Sequence, residues 1–172
     1  ETVYGLFAKA LDEKAVDHVY QLKRRPRDKA LNLNIASLED ILYFSKNQPS
    51  YLQKLVETFL PGPLTLILEA NDRVPYWVNS GLATVGFRMP SHPITLDLIR
   101  EKGPLIGPSA NISGQASGVT FNQILEDFDQ EVLGFEDDAF LTGQDSTIVD
   151  LSGDKVKILR QGAIKREDIL AQ

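Results

Sequence analysis

The segment Pro61-Gly62-Pro63-Leu64-Thr65-Leu66-Ile67-Leu68 joins a helix stop to an almost wholly apolar run. The prolines and the glycine end the amphipathic helix predicted over residues 50–60, because proline has no amide hydrogen to continue a helix. The apolar run that follows is typical of a central strand covered on both faces of a sheet. We therefore expect this strand to lie in the middle of the fold.

Helical and strand patterns alternate on both sides of this segment. Helices are predicted over residues 12–22, 37–44, 93–102 and 120–128 and from residue 165, and further strands over residues 31–35, 83–87, 104–106, 147–151 and 156–159. The last two strands are joined by Ser152-Gly153-Asp154, so they pair as an antiparallel hairpin. The pattern predicts an α/β fold with a twisted, mixed β-sheet of about six strands flanked by helices.

Length and composition exclude several classes of site. The chain has 172 residues, and we treat residues 1–172 as one domain. It has no cysteine, which excludes thiol nucleophiles, disulfides, iron–sulfur clusters and cysteine zinc sites. A net charge of −6 argues against a protein whose main role is to coat nucleic acid. The composition is that of a soluble globular protein, and we expect a cytoplasmic one.

Residues 103–125 form a long stretch without formal charge. The stretch has the length of a membrane span, but its glycines, prolines, serines and asparagines predict that it does not enter a membrane. It contains Gly107-Pro108-Ser109-Ala110-Asn111-Ile112-Ser113-Gly114 directly after a predicted strand. Loops at strand ends of α/β sheets present backbone amides to ligands. We interpret this loop as functional.

Basic residues are concentrated in one short segment. Five of the seven residues 23–29 are positively charged. They are either a solvated helix end, where cations suit the helix dipole, or an anion site. Arg88 and Arg160 each follow a predicted strand and are either anion ligands or partners in structural salt bridges. The residues alone therefore point to a cleft that collects Lys23, Arg25, Arg88 and Arg160 and binds an anionic small molecule, which a nucleotide would fit.

Other polar residues carry less information. Residues 122–145 contain eight acidic side chains and no basic one, which is typical of a solvated surface. His92 precedes a proline and is predicted to be a turn or helix-cap residue, and His18 lies on an exposed helix face. Spacing reveals no Ser-His-Asp arrangement and no catalytic carboxylate pair.

The ordered set of motifs in this chain resembles the YrdC-like family of L-threonylcarbamoyladenylate synthases. The motifs are Glu1-Thr2-Val3-Tyr4-Gly5-Leu6, Lys23-Arg24-Arg25-Pro26, Pro61-Gly62-Pro63-Leu64-Thr65, Arg88-Met89-Pro90, Ser109-Ala110-Asn111-Ile112-Ser113-Gly114, Ser146-Thr147-Ile148-Val149-Asp150 and Ile158-Leu159-Arg160-Gln161-Gly162. The resemblance covers essentially the whole chain, and its most specific feature is Lys-x-Arg paired with Ser-x-Asn.

The resemblance implies a fold and a reaction. The fold is a single three-layer domain with a positively lined cavity. The reaction converts L-threonine, bicarbonate or CO2, and ATP to threonylcarbamoyl-AMP and pyrophosphate, with Mg2+ carried in by ATP. A partner complex then transfers the threonylcarbamoyl group to adenosine in tRNA. From the charge balance we expect any RNA binding by the chain to be weak, and the composition predicts no membrane insertion and no metal site formed by protein side chains.

The resemblance also assigns roles to residues. Lys23 and Arg25 are the implied catalytic residues. The implied ATP-binding residues are Arg25, Lys29, Thr84, Ser109, Asn111, Ser117 and Arg160. The implied threonine-binding residues are Thr2, Asn34, Arg88 and Ser146.

The chain departs from the family pattern at several positions. Phe7 stands where a second glycine is common, Lys29-Ala30 replaces a frequent Asn-Pro, and Asn34 occupies a position that is often histidine. Family members usually have Pro-Thr before Glu1, after a strand and a helix, so we expect such a segment to be missing here. The C-terminal extension domain of longer members is likewise expected to be absent.

Two other functions fit parts of the sequence. One is an inactive paralogue on the same scaffold that binds RNA or another nucleotide. The other is a carbamoyl-transfer module cut from a larger enzyme.

Overall fold

The computed structural model of the protein describes residues 6–108 and 146–171. In chain order its elements are β1 (Ala8–Lys9), α1 (Glu13–Lys23), β2 (Leu33–Asn34), α2 (Leu38–Phe44), β3 (Ser45–Lys46), α3 (Leu52–Phe59), β4 (Gly62–Ala70), α4 (Tyr76–Asn79), β5 (Thr84–Met89), α5 (Pro93–Lys102), β6 (Leu105–Ile106), β7 (Thr147–Asp150), β8 (Lys157–Arg160) and α6 (Arg166–Leu170).

The strands form one mixed sheet. Its order is β1-β6-β2-β5-β4-β7-β8, with β3 paired to the far end of β4. Strand pairs β2/β5 and β4/β7 are parallel, whereas β4/β5 and β7/β8 are antiparallel. The predicted α/β fold with a mixed sheet is therefore confirmed, and the apolar run at residues 64–68 lies in a central strand as expected.

The helix ends follow the predicted capping chemistry. Asp12 accepts hydrogen bonds from the amides of Lys14 and Ala15 at the start of α1, and Ser37 accepts one from Asp40 at the start of α2. His92 caps α5 through its ring Nδ1, which accepts from the amide of Ile94 at 3.3 Å. These caps satisfy amide groups that have no partner within the helix.

The core lies on one face of the central strands. Leu64, Leu66, Leu68 and Phe87 are at most 1% exposed and pack with apolar residues of the helices in one cluster. None of the helices within residues 6–108 and 146–171 is long and apolar enough to cross a bilayer.

Some element boundaries differ from the predictions. The strand expected over residues 31–35 contracts to β2, because the amide of Leu31 bonds to the carbonyl of Val78 at the end of α4 instead of to a strand. Strand β5 extends to Met89, which pairs with Gly62, so Arg88 lies within the strand. The short elements β1, β3 and α4 were not predicted, and the helix predicted over residues 120–128 lies outside the described residues.

Candidate active site

The second face of the central strands carries polar side chains. Along β5, Val85, Phe87 and Met89 are buried in the core. Since side chains alternate between faces along a strand, Thr84 and Arg88 lie on the opposite face, with Gly86 between them. This opposite face is called the polar face below.

Strand register extends the polar face across the sheet. Asn34 of β2 is the register partner of Arg88 on one side, and Thr65 of β4 is its partner on the other. Beyond Thr65 lies Ser146, directly before β7, and then Arg160 at the end of β8. These five residues form a row, and at about 4.8 Å per strand it spans about 19 Å from β2 to β8.

Ser146 contacts both of its neighbours in the row. Its hydroxyl oxygen lies 3.1 Å from the hydroxyl oxygen of Thr65 and accepts a hydrogen bond from Nη2 of Arg160, also at 3.1 Å. Nε of Arg160 donates to the backbone carbonyl of Ser146 at 3.0 Å. Ser146 is 5% exposed and Thr65 is 2% exposed. Two nitrogens of the Arg160 guanidinium therefore donate to the side chain and to the backbone of Ser146. These bonds fix the position of the guanidinium at the β8 edge of the sheet.

Arg88 lies at the middle of the row. Its Nη2 donates to the carbonyl of Gly62 at 3.3 Å, which ties the guanidinium to the start of β4. Guanidinium donors in a fixed plane suit a carboxylate or phosphate oxygen. The position of Arg88 between Asn34 and Thr65 places this cation where an anionic group on the polar face would meet it.

Asn34 lies at the β2 end of the row and is 6% exposed. Among the described residues, no donor or acceptor forms a hydrogen bond with its side-chain amide. A side-chain amide has two donor hydrogens and an acceptor oxygen that a ligand can use. Asn34 can therefore both donate to a ligand and accept from one.

Phe7 and Gly107 close the row beyond Asn34. A Cβ atom at Gly107 would lie 2.4 Å from Cε1 of Phe7 and 3.0 Å from Nδ2 of Asn34. The aromatic ring thus occupies the space that a side chain at position 107 would need, so a larger residue there requires the ring to shift. Phe7 is 39% exposed, so part of this side chain is accessible to solvent beside Asn34.

A second group of predicted site residues lies at the other end of β2 and β5. The guanidinium of Arg25 donates to the carbonyls of Lys29 and Ala30, at 3.3 and 2.7 Å, just before β2. Ser80 donates to the carbonyl of Arg27 from the loop that leads to Thr84, the first residue of β5. Arg25, Lys29 and Thr84 therefore belong to neighbouring segments.

The two groups lie at opposite ends of one strand. Thr84 and Arg88 are four residues apart in β5, which corresponds to about 13 Å. The cleft around Lys23, Arg25, Arg88 and Arg160 stays a prediction, and a site that collects all four would extend over this length.

Lys23 is the buried cation of the basic segment. It ends α1 and is 2% exposed. Burial, and to a smaller extent the positive charge of Arg25, lower the pKa of Lys23 to about 8. A bound anion would oppose both effects, because it stabilises the ammonium form.

The remaining predicted site residues Thr2, Ser109, Asn111 and Ser117 lie outside the described residues. Within the described ranges, no group of three or more histidine, aspartate or glutamate side chains is arranged to hold a metal ion. Thr65 was not predicted as a site residue. The signal for it was a single polar side chain within the apolar run at residues 64–68.

The arrangement offers groups that suit anions at two places along the sheet. Arg88, Ser146 and Arg160 offer donors at one end, whereas Lys23, Arg25 and Lys29 offer positive charge at the other. Oriented cations and hydroxyl donors can hold two negatively charged reactants close together and offset their repulsion.

Known proteins are similar to this chain in sequence and in fold. A family model described as "Telomere recombination", which covers Sua5, YciO and YrdC proteins, matches residues 1–162. The threonylcarbamoyl-AMP synthase of Pyrococcus abyssi is 41% identical over 171 residues, covering 98% of this chain and 50% of that protein. The synthase of Bacillus subtilis is 39% identical over 174 residues, covering 99% and 50%.

A solved structure is similar to this chain in fold and in sequence. The crystal structure of P. abyssi Sua5 complexed with L-threonine matches with a TM-score of 0.90 and 40% identity, over 99% of this chain and 51% of that one. The chain spans about half the length of these two curated relatives. The match of the family model over residues 1–162 and the identity to both synthases establish that the chain belongs to the Sua5/YciO/YrdC family.

Proposed function

We propose that this chain forms threonylcarbamoyl-AMP and pyrophosphate from L-threonine, bicarbonate or CO2, and ATP. The observation that carries the proposal is the row Asn34, Arg88, Thr65, Ser146 and Arg160 on the polar face. The names of the two synthases support it, as does the solved complex of a family member with L-threonine.

The first chemical step is carboxylation of the amino acid. The neutral amine of L-threonine attacks the carbon of CO2, a C–N bond forms as one C=O π bond opens onto oxygen, and the amine proton passes to solvent water, which leaves an N-carboxylate. Arg88 and the hydroxyl of Ser146 hold the α-carboxylate in this proposal, and Asn34 contacts the polar groups of the amino acid. The buried amide of Asn34 fits this role, because it has donor and acceptor capacity to offer.

The second step is nucleotidyl transfer. An oxygen of the N-carboxylate attacks the α-phosphorus of ATP, and the bond from that phosphorus to the bridging oxygen breaks. The pyrophosphate leaves with the bond electrons. Lys23, Arg25 and Lys29 neutralise phosphate charge, and Arg160 holds the nucleotide from the other end of the row. No protein nucleophile takes part in this scheme.

The reaction needs MgATP, and we propose that Mg2+ arrives as part of this substrate. Because both reactants are anions, positive charge near the phosphates lowers the barrier to their approach. Lys23 in its ammonium form contributes a charge that is shielded from water by burial.

We propose that the product passes to a tRNA-modifying complex and that the activity is cytoplasmic. Direct binding of RNA by this chain is expected to be weak. The inactive RNA- or nucleotide-binding paralogue is not favoured, because the relatives at 39–41% identity are named as synthases.

The proposal is tested by pyrophosphate release from ATP. We expect release only when L-threonine, bicarbonate and Mg2+ are all present, and recovery of threonylcarbamoyl-AMP by mass spectrometry. Lys23→Ala should abolish turnover, and Lys54→Ala, on the exposed side of α3, is the matched control. Pyrophosphate release without threonine dependence would contradict the proposal.

A further inference from the structure

Thr65 is a polar residue in the most apolar strand of the sheet. Its neighbours Leu64 and Leu66 face the core at 0% exposure, whereas Thr65 lies on the polar face and is 2% exposed. Its hydroxyl lies 3.1 Å from that of Ser146, 81 residues further along the chain. Its register partner in β5 is Arg88. Thr65 thus lies between two residues that are proposed to hold the amino acid.

Among the described residues, the side chain of Ser146 does not use all of its hydrogen-bonding positions. A serine hydroxyl donates one hydrogen bond and accepts two. One acceptor position of Ser146 is used by Arg160, because a guanidinium only donates. When Thr65 donates to the second acceptor position, the proton of Ser146 is left for a ligand. Ser146 then acts purely as a donor, which is what a carboxylate oxygen requires.

The adjacent Thr147 shows what a purely structural hydroxyl looks like. Its Oγ1 donates to the carbonyl of Ile164 at 2.6 Å and accepts from the amides of Gly162 and Ile164 at 2.9 and 3.1 Å. All three positions are filled by the protein. Thr147 therefore has nothing left to offer a ligand, in contrast to the pair formed by Thr65 and Ser146.

We propose that Thr65 is a positioning residue for the amino-acid substrate. It donates its hydroxyl proton to Ser146 and thereby directs the proton of Ser146 at the carboxylate that Arg88 holds. The inference rests on the proposed function, and it adds a residue to the amino-acid side of the site. The position of Arg160 does not depend on Thr65, because its Nε is anchored separately to the carbonyl of Ser146. The role of Thr65 is therefore specific to the amino acid and does not extend to ATP.

The test compares three variants with the wild type. Thr65→Val removes the hydroxyl at nearly constant shape, and Thr65→Ser keeps it. Thr58→Val, on an exposed turn of α3 where the hydroxyl bonds to the carbonyl of Lys54, is the matched control. The KM values for L-threonine and for ATP are measured separately by pyrophosphate release, with thermal unfolding to confirm that each variant is folded.

We expect Thr65→Val to raise the KM for L-threonine about tenfold, the usual effect of weakening one hydrogen bond to a charged group. The KM for ATP should stay within about twofold of wild type, because Arg160 keeps its backbone anchor. Thr65→Ser should restore the wild-type value, and Thr58→Val should not change either KM.

Three outcomes would overturn the inference. They are an unchanged KM for L-threonine in Thr65→Val, an equal rise in both KM values, and a loss in Thr65→Ser as large as in Thr65→Val. Each can be obtained only with an active wild type. A wild-type protein without threonine-dependent pyrophosphate release overturns the proposed function instead, and with it any role of Thr65 in that reaction.

Discussion

At the scale of single residues, burial lowers the pKa of Lys23 and so makes the charge of this side chain depend on pH. Its pKa of about 8 means that the free protein carries the ammonium form below that pH and the neutral amine above it. We therefore expect kcat/KM for ATP to fall as pH rises through about 8, approaching a tenfold loss per pH unit, because kcat/KM reports the ionisation of the free enzyme. The measurement is a pH profile of pyrophosphate release.

Two variants check this assignment. Lys23→Arg keeps its charge at every accessible pH, so the decline above pH 8 should disappear in that variant. Arg25→Ala removes the positive charge that lowers the pKa of Lys23, so the decline should move to higher pH in whatever activity remains. A decline at the same pH in Lys23→Arg would show that another group titrates.

Phe7 and Gly107 form a second pair of residues whose effects depend on each other. A methyl group at position 107 would overlap the ring of Phe7 at 2.4 Å. Overpacking of this kind costs about 1–3 kcal/mol, so Gly107→Ala should lower the free energy of unfolding by that amount. Phe7→Gly removes the ring, and the double variant Phe7→Gly/Gly107→Ala should recover most of the loss. Additive losses in a denaturant-unfolding cycle would show that the ring moves aside freely.

At the scale of elements, Thr147 of β7 anchors the chain that follows β8. Its hydroxyl bonds three backbone groups of residues 162 and 164. Thr147→Val leaves those groups without partners, and we expect a loss of about 2 kcal/mol or more. For a chain of this size the melting temperature should fall by about 5 °C.

Hydrogen exchange locates this effect. The amides of Gly162 and Ile164 should lose protection in Thr147→Val, whereas the amides of β4 keep theirs. Thr147→Ser retains the hydroxyl and serves as the control. If the melting temperature falls while these two amides stay protected, the loss comes from packing and not from the anchor.

The elements also show what could be predicted from the sequence. α5 begins and ends where its pattern and its cap at His92 predict, because a ten-residue helix carries almost three turns of periodicity. β1 and β3 have two residues each, which is too short for any period, and they exist only because β6 and β4 offer them partners. A local pattern does not contain such pairings.

The candidate site likewise contains residues that the sequence reveals and a residue that it does not. Charged residues such as Lys23 and Arg88 stand out in a sequence, because cations near strand and helix ends suggest an anion. Thr65 does not, since its role depends on Ser146, which the chain brings next to it from 81 residues away. Register decides that contact, and register follows from how β4 and β7 pair.

At the scale of the whole molecule, the net charge of −6 conceals a local cluster of positive charge. Eight of the 24 acidic residues fall in residues 122–145, while five of the 18 basic ones fall in residues 23–29. An average over the chain argues only against extensive contact with nucleic acid. It does not argue against a local site for ATP and a carboxylated amino acid.

The length of the polar face predicts separable effects on the two proposed substrates. Arg88 lies about 13 Å along β5 from the end where Lys29 and Thr84 lie, so we expect their variants to affect different substrates. Arg88→Ala should raise the KM for L-threonine about 30-fold or more, because it removes a charged partner of a carboxylate. Lys29→Ala should raise the KM for ATP about fivefold, since an exposed lysine contributes less. Each variant should leave the KM for the other substrate nearly unchanged, with Lys54→Ala as the control for loss of an exposed lysine. If both variants raise both KM values in parallel, the two ends of the face act as one pocket, and the assignment of separate amino-acid and phosphate ends is wrong.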